Sequence, residues 1–141
     1  MRILLAPDSF KEAASAEAIA QAMARGIKRG DPQAECRLLP LSDGGEGLTH
    51  ALVHATGGTL HDVETVDAVG RPIIAQFGFL GNNHASCILH TAVVELASAS
   101  GLEQVSPADR DPMAASTFGT GLLIRAAIDA GADRIVLGLG G

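Results

Sequence analysis

Tryptophan and tyrosine are absent from this 141-residue chain, and aromatic residues make up 3% of it. Its core must therefore be assembled from Ala, Val, Ile and Leu. Cysteine is scarce too. Cys36 and Cys87 lack the spacing of a zinc site or a redox pair. Both fall in apolar, strand-like surroundings and read as reduced, buried thiols of a cytoplasmic protein. Ten Lys and Arg against sixteen Asp and Glu leave a net charge of −6 without a basic cluster, which argues against nucleic acid as the main partner. Long apolar runs are missing as well. The N-terminal run ends at Pro7 after four residues, too short for a secretion signal. No window approaches the roughly 18 apolar residues of a membrane span. Nor is there an internal repeat, a G-x-S-x-G elbow, an H-E-x-x-H pair or a Walker lysine.

What is present is a chain of single-domain length, 47% hydrophobic, with seventeen glycines. Residues 2–6 read as a buried strand. Ser15 is a good N-cap with Glu17 in the first turn, and Ile19, Ala20, Met23, Ala24 and Ile27 recur at helical spacing. Gly30-Asp31-Pro32 stops that helix, and 35–39 reads as a second strand ended by Pro40. A glycine-rich loop leads into a helix over 46–56, closed by Gly57-Gly58. This order favours a parallel sheet. The style then changes: 59–66, 72–80 and 85–95 read as successive strands joined by turns. A polar loop over 96–115 follows, then a helix over 117–130 with Gly131 as its C′ residue, and a strand from Arg134 into Gly140-Gly141. The expected class is α/β: a Rossmann-like parallel portion over 1–66, and the start of a second, mixed α/β domain over 67–141. A buried-type strand running straight into glycines, without its covering helix, reads as the front part of a longer protein.

Loops at the carboxyl ends of strands carry ligands in open α/β sheets, and two such loops stand out. Asp8-Ser9-Phe10-Lys11 joins an acid, a hydroxyl and a compact cation suited to phosphate or carboxylate; it is equally the composition of a solvated turn. Asp43-Gly44-Gly45-Glu46-Gly47 opens a helix whose terminal N–H groups favour anions. Its two acids repel phosphate unless magnesium intervenes, and a capped flexible turn has the same look. Gly138-Leu139-Gly140-Gly141 resembles the start of a phosphate turn. At Thr117-Phe118-Gly119-Thr120-Gly121, helix capping by Ser116 or Thr117 accounts for the hydroxyls. Glu46, His50 and His54 share helical spacing and read as an exposed face rather than a metal site. Glu95 ends an apolar strand, where a carboxylate is costly to bury unless paired; it faces solvent or serves a site.

Taken in order, "APDSFKEAASAEAIAQAMARGI", "LPLSDGGEG", "AVVELASASGL", "DPMAASTFGTGLLIRAAIDAG" and "IVLGLGG" resemble the bacterial glycerate kinases, of the glycerate 2-kinase type, across the whole chain. The resemblance implies two α/β domains with a cleft, and ATP-dependent, magnesium-assisted phosphorylation of D-glycerate. Asp8, Ser9 and Lys11 would line that cleft, Lys11 countering phosphate or carboxylate charge. Asp43, Gly44, Gly45 and Glu46 would form a second wall, with Lys11, Asp8 and Asp43 as the catalytic set. Glu95, Ser98 and Ser100 would be substrate-side, with Thr117, Gly140 and Gly141 near phosphate. Two departures from the family pattern are residues 82–91, longer than the usual turn, and Asp67-Ala68-Val69-Gly70 where a Gly-Pro turn is common. Much of the nucleotide site would lie in a further C-terminal part, leaving these 141 residues inactive alone. Rival readings are a non-catalytic module binding a small carboxylate or other anion, and a hydrolase built on Ser9, which lacks a triad.

Overall fold

The computed structural model describes residues 1–10, 13–81 and 89–140. The architecture is α/β, and it divides into two compact units, Met1–Asp43 and Gly44–Gly141. The expected boundary after residue 66 falls instead in a hairpin turn inside the second unit.

In the first unit, β1 (Arg2–Leu5) and β2 (Glu35–Leu38) pair in parallel, joined by the fifteen-residue helix α1 (Ala16–Gly30). Helix α1 starts where the sequence predicts, because the Ser15 hydroxyl accepts the Ala18 N–H at 3.2 Å. Ala20 is fully buried, while Ile19, Ala24 and Ile27 are half-buried. Met23, expected on the same apolar face, is exposed. Cys36 is half-buried in β2; Cys87 lies outside the described residues.

The second unit is built on a four-stranded mixed sheet in the order β3-β4-β5-β6. Strands β3 (Thr59–Val66) and β4 (Pro72–Phe79) form an antiparallel hairpin. Strand β5 (Thr91–Glu95) is antiparallel to β4 and parallel to β6 (Arg134–Gly138). Helix α2 (Leu48–Thr56) precedes the sheet, with Gly57 in the left-handed region at its end. Side-chain alternation assigns the faces. Phe77, Phe79, Ala92 and Val94 join Leu123 and Ala127 of α4 (Phe118–Asp129) in one cluster. On the other face Gly78 leaves room for Thr49 and Val53 of α2. Strand β5 is therefore buried along its whole length, as the run of apolar residues in a doubly covered strand requires. Leu123, with no exposed surface, contributes about 1.5–3 kcal/mol through burial.

Residues 96–115, expected as a polar loop, contain a short helix α3 (Leu96–Ser100) and single 3₁₀ turns at Leu102–Gln104 and Pro107–Asp109. Five residues are too few to establish a helical period, and packing of the fully buried Ala99 fixes α3 instead. Helix α2 also begins two residues later than expected, because Glu46-Gly47 form a turn. The start of the strand expected over 85–95 lies outside the described residues as far as Ile88.

The hairpin turn Asp67–Gly70 rests on a buried carboxylate. Asp67 Oδ1 accepts the Val69 and Arg71 N–H groups, both at 2.9 Å, and Oδ2 accepts Arg71 Nε at 2.7 Å. Arg71 Nη1 reaches Asp109 Oδ2 at 2.9 Å, tying the second 3₁₀ turn to the hairpin. Burial works against ionisation of Asp67. The Arg71 backbone N–H and guanidinium, with the Val69 N–H, outweigh it and hold the carboxyl below its ordinary 3.8. Asp109 is also lowered, first by the Ser106 hydroxyl and then by Arg71. Carboxyls depressed in the native state contribute stability that is full above their ordinary value and lost as pH falls through the native one. The urea midpoint should therefore decline as pH drops below about 4. Asp67→Asn should flatten that decline and lower the midpoint at neutral pH; an unchanged acid limb would remove Asp67 from the account.

Candidate functional site

The parallel ladder of β1 and β2 continues beyond the strands. Leu39 N–H donates to Leu5 O at 2.7 Å, and Leu41 N–H to Pro7 O at 3.0 Å. Two loops thus leave one carboxyl end side by side, the position where α/β sheets hold ligands. The first carries Asp8 and Ser9, both half-buried, with Asp8 Oδ1 accepting the Ser9 N–H at 2.7 Å. The second carries Ser42 and the exposed Asp43. Lys11 lies outside the described residues. Phe10 N–H donates to Ala14 O at 2.9 Å.

The second unit repeats the arrangement at the carboxyl ends of β5 and β6, where Glu95 stands opposite Gly138. The loop Gly44–Gly47 passes over this end. Gly140 N–H donates to Gly44 O at 3.0 Å. A methyl group on Gly140 would overlap Gly45 N and Cα, and one on Gly138 would overlap Gly44 O. Only glycine permits this backbone crossing. Gly47 caps α2 with φ at +86° and offers no side chain to the helix's free N–H groups. Glu95 supplies what is missing. Its Oε2 accepts the Gly47 N–H at 3.1 Å, and its Oε1 accepts the Thr49 N–H. The carboxylate is buried, and among the described residues no cation pairs with it.

The remaining expected site residues meet other groups of the chain. Ser98 Oγ both donates to Gln76 O and accepts the Gln76 N–H, each at 3.1 Å. Ser100 Oγ and Thr120 Oγ1 are 2.8 Å apart. Thr117 is exposed and makes no side-chain cap; Ser116 Oγ instead accepts the Phe118 N–H at 3.1 Å. Glu46 is exposed, Gly45 is buried, and Gly141 lies outside the described residues. His50 Nε2 lies 3.1 Å from Gln76 Oε1. No group of three acidic, histidine or cysteine side chains fit for a metal occurs among the described residues. Likewise, no described helix is long and apolar enough to cross a membrane. Sequence reading missed Gly47 and Thr49 as partners of Glu95. The contact spans 46 to 48 positions and leaves no local signal.

The model of the glycerate kinase family matches residues 3–141. The chain is 46% identical over 141 residues to a glycerate kinase of Bacillus subtilis, covering all of this chain and 35% of that protein. It is 39% identical to a glycerate 2-kinase of Escherichia coli, again over 35% of the relative. A crystal structure assigned to glycerate kinase 2 of Salmonella typhimurium superposes with a TM-score of 0.72 at 45% identity, covering all of this chain and 37% of that one. The chain thus spans about a third of the length of the relatives it matches.

Two substitutions test the geometry of the loop. Gly140→Ala forces backbone atoms apart and should lower stability by about 1–3 kcal/mol in urea unfolding; an unchanged midpoint would mean that the crossing is not tight. Thr49 Oγ1 is buried without a partner among the described residues. Thr49→Val removes that unmet hydroxyl and keeps the backbone N–H, so stability should hold or rise by about 1 kcal/mol. A loss of more than that would show that the hydroxyl is bonded.

Proposed function

The chain belongs to the glycerate kinase family, and from that premise we propose that the full-length protein transfers the γ-phosphoryl group of ATP to a hydroxyl of D-glycerate in the cytoplasm. The observation that carries this reading is the pair of loops tied at one carboxyl end of β1 and β2, with Asp8 and Ser9 on one and Asp43 on the other. Phosphoryl transfer asks little covalent chemistry of a protein. It needs a positioned hydroxyl and compensation of the charge on the transferred group.

In this reading Lys11 offsets negative charge on phosphate or on the glycerate carboxylate, as a compact ammonium does well. Asp8 and Asp43 stand near the acceptor hydroxyl, where a carboxylate takes its proton, and Ser9 hydrogen-bonds the substrate. Gly44 and Gly45 let backbone approach the ligand. Thr117 and the Gly140-Gly141 turn serve the phosphate side. Magnesium is commonly held by one or two carboxylates plus substrate phosphates, not by an all-protein cage. Asp43 and Glu46 are both exposed acids, of the kind that would supply such a carboxylate. When bound, magnesium supplies charge neutralisation between the phosphates. The remaining two thirds of the family's length contributes further nucleotide contacts, and these 141 residues are inactive by themselves.

A coupled assay of ADP release by the full-length protein tests the proposal. D-glycerate should elicit magnesium-dependent turnover, and its absence would overturn the kinase reading. Glycerate binding without turnover would favour a non-catalytic carboxylate-binding module. Lys11→Ala should lower kcat/KM by about 100-fold or more, the usual cost of removing one charge-stabilising group.

A further inference from the structure

We infer that Glu95 is a positioning residue whose carboxylate occupies the anion place at the N-terminus of α2 and so fixes the loop Gly44–Gly47. The inference rests on the functional reading above only in giving that loop a role at the site. The first N–H groups of a helix attract an anion through their unmet hydrogen bonds and the helix dipole. At α2 two of those groups, on Gly47 and Thr49, already donate to separate oxygens of Glu95. The expected use of this helix end for a phosphate thus meets an anion provided by the chain itself.

Three further observations give the arrangement its purpose. Gly47 has no side chain, so α2 has no local cap, and the cap arrives from the end of β5. Glu95 is 6% exposed, and with no cation paired to it among the described residues hydrogen bonds must satisfy the buried carboxylate. The other flank of the loop is closed by the approach of Gly138 and Gly140 to Gly44 and Gly45. Carboxylate and glycine strand end hold the loop between them, while Glu46 remains exposed. Glu95 therefore governs the ligand-side backbone without touching substrate. A substrate phosphate goes elsewhere than the α2 terminus.

Glu95→Gln keeps the shape but turns one acceptor into a donor facing an N–H, and it removes the charge. Amide hydrogen exchange of the full-length variant should quicken at Gly47 and Thr49 by about tenfold or more, the scale of a lost charged hydrogen bond. The amides of β3 and β4 should keep their rates. Kcat/KM for glycerate should fall by about tenfold or more with little change in Tm, because the loop rather than the fold is loosened. Unchanged exchange at the two amides would overturn the inference. So would equal acceleration throughout the sheet, which marks a purely structural acid. Unchanged kcat/KM beside faster local exchange would remove the positioning role. If Glu95→Gln does not fold, Glu95→Asp keeps the charge with a shorter reach and should give intermediate exchange and activity; wild-type values in both would refute the proposal. Should the wild type itself fail to phosphorylate glycerate, the kinase reading falls while the exchange data still judge the anchoring.

Discussion

A single strand buried on both faces organises the larger unit. Strand β5 has α4 and its cluster on one side and α2 on the other, and it is the seam between antiparallel and parallel pairing. A strand so covered has to be apolar throughout, and Thr91-Ala-Val-Val nearly is. Glu95 at its last position is the exception. That carboxylate is held in the interior by the Gly47 and Thr49 N–H groups. The position of α2, the path of the glycine loop and the meeting with β6 are all consistent with that one accommodation.

Much of this architecture was legible in the sequence, and for identifiable reasons. The Ser15 cap, the β3–β4 hairpin and the glycine behind α4 are decided by neighbours in sequence, so local rules found them. The order of strands and helices also gave α/β correctly. Helix α3 escaped because five residues of Leu, Ala and Ser carry no period, and its stability comes from a buried Ala99. Met23 followed the helical spacing yet is exposed, since a two-stranded sheet does not cover the whole apolar face of α1.

The site was legible as two loops but not as a set of bonds. Asp8, Ser9 and Asp43 were singled out because acids and hydroxyls after apolar strands are chemically conspicuous, although the expected burial of residues 2–6 is not met throughout: Leu4 is 58% exposed, and Leu38 in β2 is exposed too. The ladder between β1 and β2 that sets their loops side by side is a backbone property, silent in residue types. Glu95 was conspicuous as an acid ending an apolar run, and two alternatives stood open, solvent or a site. Burial rules out solvent, and the partners it found are main-chain groups nearly fifty positions away. Side-chain identity announces a polar group that needs satisfying, while which donor satisfies it depends on how the fold closes.

Ser98 shows how little is needed to end a sheet cleanly. Register between β4 and β5 runs from Phe79 back to Phe77 and stops, so the main-chain groups of Gln76, whose other side pairs with Asp62 of β3, meet no residue of β5. One hydroxyl answers both, giving a proton to the carbonyl and taking one from the amide. The alcohol impersonates a missing strand residue. Freed of any duty to continue the ladder, the backbone swings into a helix immediately after Glu95, and the acid is left at a terminus instead of midway along a strand.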